Sequence, residues 1–323
     1  ALYTNVDGSN SVAVGRLALY SQEPASAVEM LNTAVGYKAG QTLTTGTQNT
    51  ALGAEAGMSI TTGSENVTIG VFSGSANSST TAGITTGSSN IAIGLGAMAG
   101  DGTAVTGSNN IAVGRYAGQK FTSGAGNIAI GQSSLDATTT ASNNTAIGTN
   151  SLSANTTAAN NTAVGVNSGA EITTGATNTL IGKDSGRFIT TGANNTILGP
   201  YHGNQNGLDI RSSSSHVVLS DGAGYPNAYW HSYIINIAFN SFVTFFTIPS
   251  TDLGVYTISI GLNGQTAADW HAYAVIKAGS TAAFITNSGA TNVTLQLSGL
   301  EVQVKQTGTS PNLDLQARIS RIN

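Results

Sequence analysis

The sequence contains no cysteine, so neither a disulfide framework nor a thiolate metal site is open to it. Charge is also scarce. Asp, Glu, Lys and Arg make up 8% of the 323 residues, far below the usual quarter, and the net charge is −4. That balance offers no basic field to nucleic acid, which is excluded as a partner. Disordered chains are usually charged or proline-rich, and this one has only 5 prolines. Long apolar runs are missing too. The longest, YIINIAFNSFVTFFTI at 233–248, is broken by Asn236, Asn240 and Ser241 and is too short to span a bilayer. No histidine precedes His202, so most of the chain lacks the commonest general base.

Gly, Thr, Asn, Ser and Ala dominate instead, and they recur in order. An Asn-x-Ala-(Val/Ile/Leu)-Gly anchor, or a close variant, ends at Gly15, Gly36, Gly53, Gly70, Gly94, Gly114, Gly131, Gly148, Gly165, Gly182 and Gly199. Seven of the ten spacings are 17 residues; the others are 21, 24 and 20. The departures read as insertions at EPASAVEM, at SSTTAGI and near Asp101, and HVVLS at 216–220 reads as a degenerate further copy. Self-similarity at this period is the signature of a solenoid. Each coil is expected to hold two or three short strands, since segments such as TAIG are β-branched and too short for helices. TTG marks a turn. The recurrent Asn, at Asn32, Asn49, Asn66, Asn90 and onwards, is expected to stack into an amide ladder.

Two internal comparisons support a shared core. Where the fourth residue after the repeat glycine is Gly, the seventh is usually large and apolar: Leu43, Ile60, Phe121, Ile172 and Ile189. Where the fourth is Leu135 or Leu152, the seventh is Thr138 or Asn155, and TTG becomes TTA. One volume is therefore filled from either position, as close packing requires. ALY at 1–3 also lies 17 residues before ALY at 18–20. The chain is thus expected to begin partway through a coil, with more protein or a separate piece joining there. Within a strand, the Ala and the Ile of TAIG face opposite sides. Two persistently apolar faces predict that the outer one packs on another chain, unless alanine is simply small enough to face water.

Runs such as NSVAVG, NTAVGYKAG, NIAIG and NTAIG resemble the head repeats of trimeric autotransporter adhesins. With their TTGxxN spacers they resemble still more the repeat shafts of bacteriophage tail fibres, and HVVLSDGAGYPNAYW looks like the junction closing such shafts. The resemblance covers roughly residues 1–222. It implies a β-roll shaft, three chains around a common axis, a place in the virion tail, and tail or fibre proteins as partners at the N-terminal end. No membrane-anchor barrel follows, so the phage reading precedes that of a bacterial surface adhesin.

Composition shifts after Ser220. Twelve aromatic residues lie between 211 and 323, and the repeat gives way to strict alternation at Tyr256–Leu262, Val293–Leu297, Leu300–Val304 and Leu313–Ile319. The expectation is an all-β chain: a solenoid shaft over 1–222, then an antiparallel, jelly-roll-like β-sandwich tip over 223–323. Trp230, His231 and Tyr233 form one cluster, and Trp270, His271 and Tyr273 a second of the same pattern. Trp and Tyr on a surface can stack on sugar rings, the two histidines could ligate a metal at a trimer axis, or both clusters could simply pack the core. Asn263, Gln265, Asn287, Asn292 and Asn312 sit in or beside candidate tip loops and are further receptor contacts.

The expected function is therefore a homotrimeric tail fibre binding a host surface glycan or protein, with no cofactor, no membrane insertion and no catalysis. Three alternatives were weighed. Ile-Gly-x-x-Ser resembles one hexapeptide of left-handed helical acyltransferases, but occurs once per coil. A polysaccharide depolymerase needs paired carboxylates, and no acids here recur as a close pair within one coil, although a pair could assemble across chains. Stacked threonines such as Thr44-Thr45 and Thr173-Thr174 could bind ice, but adjacent strand residues face opposite sides.

Overall fold

A computed structural model describes residues 1–75, 82–205 and 207–226 with their side chains; from 227 to 322 it describes only the strands and their pairing. The described residues contain strands and turns and no α-helix. The chain divides into two units, Ala1–Asn194 and Asn195–Asn323.

The first unit is a β-solenoid. Each coil contributes one three-residue strand, from Val12–Val14 to Thr179–Ile181, and each pairs in parallel with the next coil in unshifted register. Ala129 thus faces Ala146, which faces Ala163. The expectation of two or three strands per coil is too high for the 17-residue coils. Their remaining residues run as turns whose N–H groups bond carbonyls of the next coil, as Thr122 N bonds Thr139 O at 3.0 Å. A second short strand occurs where the period is broken: Val28–Glu29 pairs with Gly8–Ser9, and Gly83–Ile84 with Ala104–Val105. The inserts leave the main register intact, because Val67–Ile69 still pairs with Ile91–Ile93 across the 24-residue step.

Three stacked features hold the coils together. The first is the amide ladder. Asn127 Oδ1 accepts from the backbone N–H of Asn144 at 3.0 Å and from its Nδ2 at 3.2 Å, while Asn127 Nδ2 donates to Ala141 O at 2.8 Å. The backbone N–H and turn-carbonyl bonds recur from Asn32 onwards, and every member through Asn178 is buried. An amide is needed because one side chain must both accept and donate in a water-free interior. The second is the threonine column of the turns: Thr122, Thr139, Thr156 and Thr173 each donate a hydroxyl to the threonine carbonyl one coil on. Those hydroxyls are used within the stack, whereas the second threonine of each pair, such as Thr45 and Thr174, is exposed. The third is the repeat glycine. At Gly131 φ is 131°, and a Cβ there would lie 2.6 Å from the Gly148 carbonyl, so only hydrogen fits.

The core follows the predicted compensation. A Cβ on Gly118 would lie 2.6 Å from the Phe121 ring, and one on Gly169 would meet Ile172, Leu152 and Leu180 at 2.9–3.1 Å. Leu135 and Leu152 fill the same volume from the fourth place. In the latter coil Asn155 is free to brace the altered turn, donating to Ala158 O at 2.9 Å and accepting from Ala158 N at 3.0 Å. At the start, Leu2 N bonds Ala18 O at 3.0 Å and the Tyr3 and Tyr20 rings stack at 5.1 Å, so ALY does repeat in phase.

The strand's inner residue is the alanine. Ala51 and Ala146 are 3% and 0% exposed, whereas Leu52 and Ile147 are 46% and 38% exposed. Alanine does not face water; the larger aliphatic residue does. The reason is room: the fourth- and seventh-place residues share the coil interior and leave a methyl's space in most coils, while Thr68 and Leu180 take the same inward place in two others.

In the second unit, Thr196–Leu198 pairs in parallel with His216–Ser220, so HVVLS does act as a coil strand. Asn195 there repeats the ladder chemistry, with Oδ1 accepting from His216 N at 2.9 Å and Nδ2 donating to Ser213 O at 3.0 Å. His216–Ser220 then pairs antiparallel with Pro226–Ile237, and the sheet continues through Leu313–Ile322, Gly254–Leu262, His271–Ala278 and Thr281–Asn287. Phe242–Thr247, Glu301–Gln306 and Val293–Ser298 form a separate sheet.

Candidate functional site

Two surfaces of the first unit lie outside its hydrogen-bonded interior. One is the outer face of the stacked strands. With the middle residue turned inward, the first and third residues of every strand face out. The third column runs Val14, Val35, Leu52, Ile69, Ile93, Val113, Ile130, Ile147, Val164 and Ile181; the first contains only Val, Ile and Thr. No charged residue interrupts either column. Ten strands three residues long span roughly 45 Å by 7 Å, on the order of 300 Å², about the size of the largest apolar patch on an ordinary monomer.

The other is a cleft of about 390 Å³ where the period is broken. The residue two after each repeat glycine adopts a left-handed φ, and in successive coils this column reads Phe72, Gly96, Tyr116. Gly96 is the column's glycine, and the Tyr116 ring lies across it: a Cβ there would sit 2.8 Å from Tyr116 Cδ1. The Tyr116 ring and Phe72, from the coils on either side of Gly96's, line the cleft together with Leu95, Asp101 and Gln119. The Arg115 guanidinium lies 4.7 Å from the Tyr116 ring centre. Lys120 Nζ is 3.6 Å from Asp101 Oδ2, with both side chains half exposed. Sequence reading missed this cleft. Its only signals are a glycine in a column of larger residues and the two irregular spacings flanking it.

Of the residues expected to contact a receptor, Trp230 and Tyr233 lie on Pro226–Ile237, Tyr273 on His271–Ala278, and Asn287 ends Thr281–Asn287. Backbone register places His231, Ile319, Ile258, Tyr273 and Asn287 in one row across the sheet. Tyr233 and His271 share another row, through Ala317 and Ile260, and Trp230 falls in the row with Ser320 and Thr257. Trp270, Asn263, Gln265, Asn292 and Asn312 lie outside the described residues.

No family model and no curated protein matches the sequence. A solved structure is similar to it: the tailspike protein gp49 of the Acinetobacter baumannii bacteriophage Fri1, described as a capsular polysaccharide depolymerase. The identity is 9% and the TM-score 0.23, over 93% of this chain and 58% of that one. The expectation of a non-enzymatic chain is corrected on this finding, since the similar structure is an enzyme's, and it is not retained. The physical reason is that acids were counted within single coils, whereas stacking joins residues of different coils. Glu65, for instance, accepts a 2.8 Å bond from Ser89 Oγ one coil on.

Proposed function

We propose that this chain is a fibre segment of a phage tail, that three copies pack their solenoids around a common axis, and that its C-terminal residues contact the host surface. The observation carrying the reading is the outer strand face: an uncharged strip of Val, Ile, Leu and Thr repeated in every coil, whose Ile147 and Ile181 are 38% and 43% exposed in the single chain. The repeat's resemblance to tail-fibre shafts supports the same reading. Trimerisation would present three copies of each weak contact together, and simultaneous engagement raises avidity without any tight single site. The contacts assigned to the C-terminal part are Trp230, Tyr233, Trp270, Tyr273 and the amides Asn263, Gln265, Asn287, Asn292 and Asn312, with a surface glycan as the ligand.

Two measurements test this. Light scattering after size exclusion is expected to give three times 32.4 kDa; a stable mass of 32.4 kDa would remove the trimer. Labelled trimer is then expected to bind host cells, with Trp230→Ala and Trp270→Ala reducing binding at least tenfold. Unchanged binding by both variants would overturn the assignment of the tip. Reducing ends released during the same incubation report whether bound glycan is also cut.

A further inference from the structure

We infer that the cleft around Gly96 is a saccharide subsite on the solenoid itself, taking one pyranose unit. It is distinct from the C-terminal contacts proposed above. A pyranose ring has a C–H face and an edge of hydroxyls, and the cleft matches both. Phe72 and Tyr116, from the coils before and after Gly96's, provide aromatic surface in the cleft lining. Arg115, over the Tyr116 ring at 4.7 Å, helps hold that ring across Gly96. At the rim, Asp101 offers a carboxylate that accepts from hydroxyls, and the Gln119 amide can both donate and accept. The cleft volume of about 390 Å³ lies in the range of small-ligand sites.

The way the cleft is made also points to a built site. Elsewhere the column two residues past the repeat glycine carries side chains, among them Lys38, Glu55, Ser133, Asn150 and Asn167. All of these hold the left-handed φ without glycine, so backbone geometry does not demand glycine at 96. What demands it is the Tyr116 ring, which any Cβ at that position would displace. The glycine thus removes one side chain from the column exactly where two aromatic rings flank the gap. Lys120 offsets the Asp101 charge at 3.6 Å, leaving a rim suited to neutral hydroxyls.

The test uses the full chain and saturation-transfer difference NMR with glucose, galactose, mannose, N-acetylglucosamine and N-acetylgalactosamine, each at millimolar concentration. At least one sugar is expected to receive saturation, with the effect falling at least fivefold in Tyr116→Ala and in Asp101→Ala and persisting in Tyr116→Phe. Circular dichroism melts of each variant check that the solenoid is intact. Tyr116→Ala is expected to melt with the parent, because Ser133 and Asn150 stand at the same place in later coils. Transfer from none of the five sugars overturns the proposal. So does transfer that survives Tyr116→Ala but is lost in Trp230→Ala, which would leave the tip reading standing alone. Transfer lost in Tyr116→Ala and unchanged in Trp230→Ala supports the shaft site whatever becomes of the tip.

Discussion

At the scale of single residues, the solenoid is built on backbone conformations that most side chains avoid. Each 17-residue coil has three left-handed positions besides the repeat glycine: one before the ladder asparagine, one two residues past the repeat glycine and one four residues past it. At the first, Asn109, Asn143, Asn160 and Asn194 have φ of 57–62°, and asparagine tolerates that region because its short amide can bond locally. Thr177 holds the same place at φ 61°, although a β-branched residue is strained there. Replacing it should therefore relieve the coil without touching the core. Thr177→Asn is expected to stabilise the protein by about 0.5–1 kcal/mol, read as a higher urea midpoint at unchanged slope. A second residue-scale prediction concerns Asp136. Burial pushes its carboxyl above the ordinary value of 3.8, with bonds from its own and the Ala137 backbone N–H and the nearby Lys120 pulling weakly the other way. The folded state then binds the proton more tightly than the unfolded one. Stability falls as pH rises through the window just above 3.8, and at neutral pH the fold bears a half-buried charge. Asp136→Asn should raise the urea midpoint at pH 7 and lose that advantage below pH 3.8. An equal gain at both pH values would show that charge burial is not the cause.

At the scale of the coil, stability depends on each amide answering the next. Removing the Asn127 side chain orphans the Asn144 backbone N–H and the Ala141 carbonyl, and takes one acceptor from Asn144 Nδ2, which still donates to Ala158 O. Each buried polar group left unpaired costs about 1–3 kcal/mol. Asn127→Leu is therefore expected to cost about 3–5 kcal/mol, even though leucine is the more hydrophobic residue. A loss under 1 kcal/mol in chemical denaturation would mean that water enters the stack and replaces the ladder. This element was legible in the sequence because the asparagine recurs at a fixed offset from the glycine. The compensation between Leu152 and Ile172 was legible for the same reason, since one volume filled from two positions leaves an anticorrelation along the chain. The side the alanine faces was not legible. Ala and Ile alternate in every coil, and hydrophobicity alone does not say which is inside; that depends on how much of the interior Phe121, Leu135 and their counterparts already fill. The cleft was hidden for the opposite reason. It arises where the repeat fails, from Gly96, Asp101 and two irregular spacings, and a reading built on recurrence passes over single departures.

At the scale of the whole molecule, the inward alanine sharpens the case for association. Had alanine faced out, the outer surface would have been a weakly apolar strip of methyl groups. Instead it carries Ile, Val and Leu, with Ile130, Ile147 and Ile181 at 37%, 38% and 43% exposure in the isolated chain. Thr145, Thr162 and Thr179 beside them are β-branched and uncharged, so no charge in these coils opposes a close approach. Parallel strands are normally covered on both faces, and here only the inner face is covered within one chain. A lysine on this column separates the two possible roles of the strip. In a chain that works alone, Ile130→Lys and Ile147→Lys place charge on an already solvated surface, and the double variant should change nothing. In a chain that packs on copies of itself, the charges are desolvated at the centre of the assembly without a partner, at a cost of several kcal/mol each. The double variant is expected to elute at 32.4 kDa, with the strand circular dichroism of the parent, while the parent elutes at three times that mass. The inner face is untouched, since Ala129 and Ala146 remain buried, so loss of fold is not the expected route to dissociation. If the double variant keeps the parent mass, the outer columns are not the interface. The contact would then lie on another side of the coil, where the column containing Arg16, Arg115 and Lys183 and the adjacent one containing Lys38, Glu55 and Asp184 carry the charge that the strand face lacks.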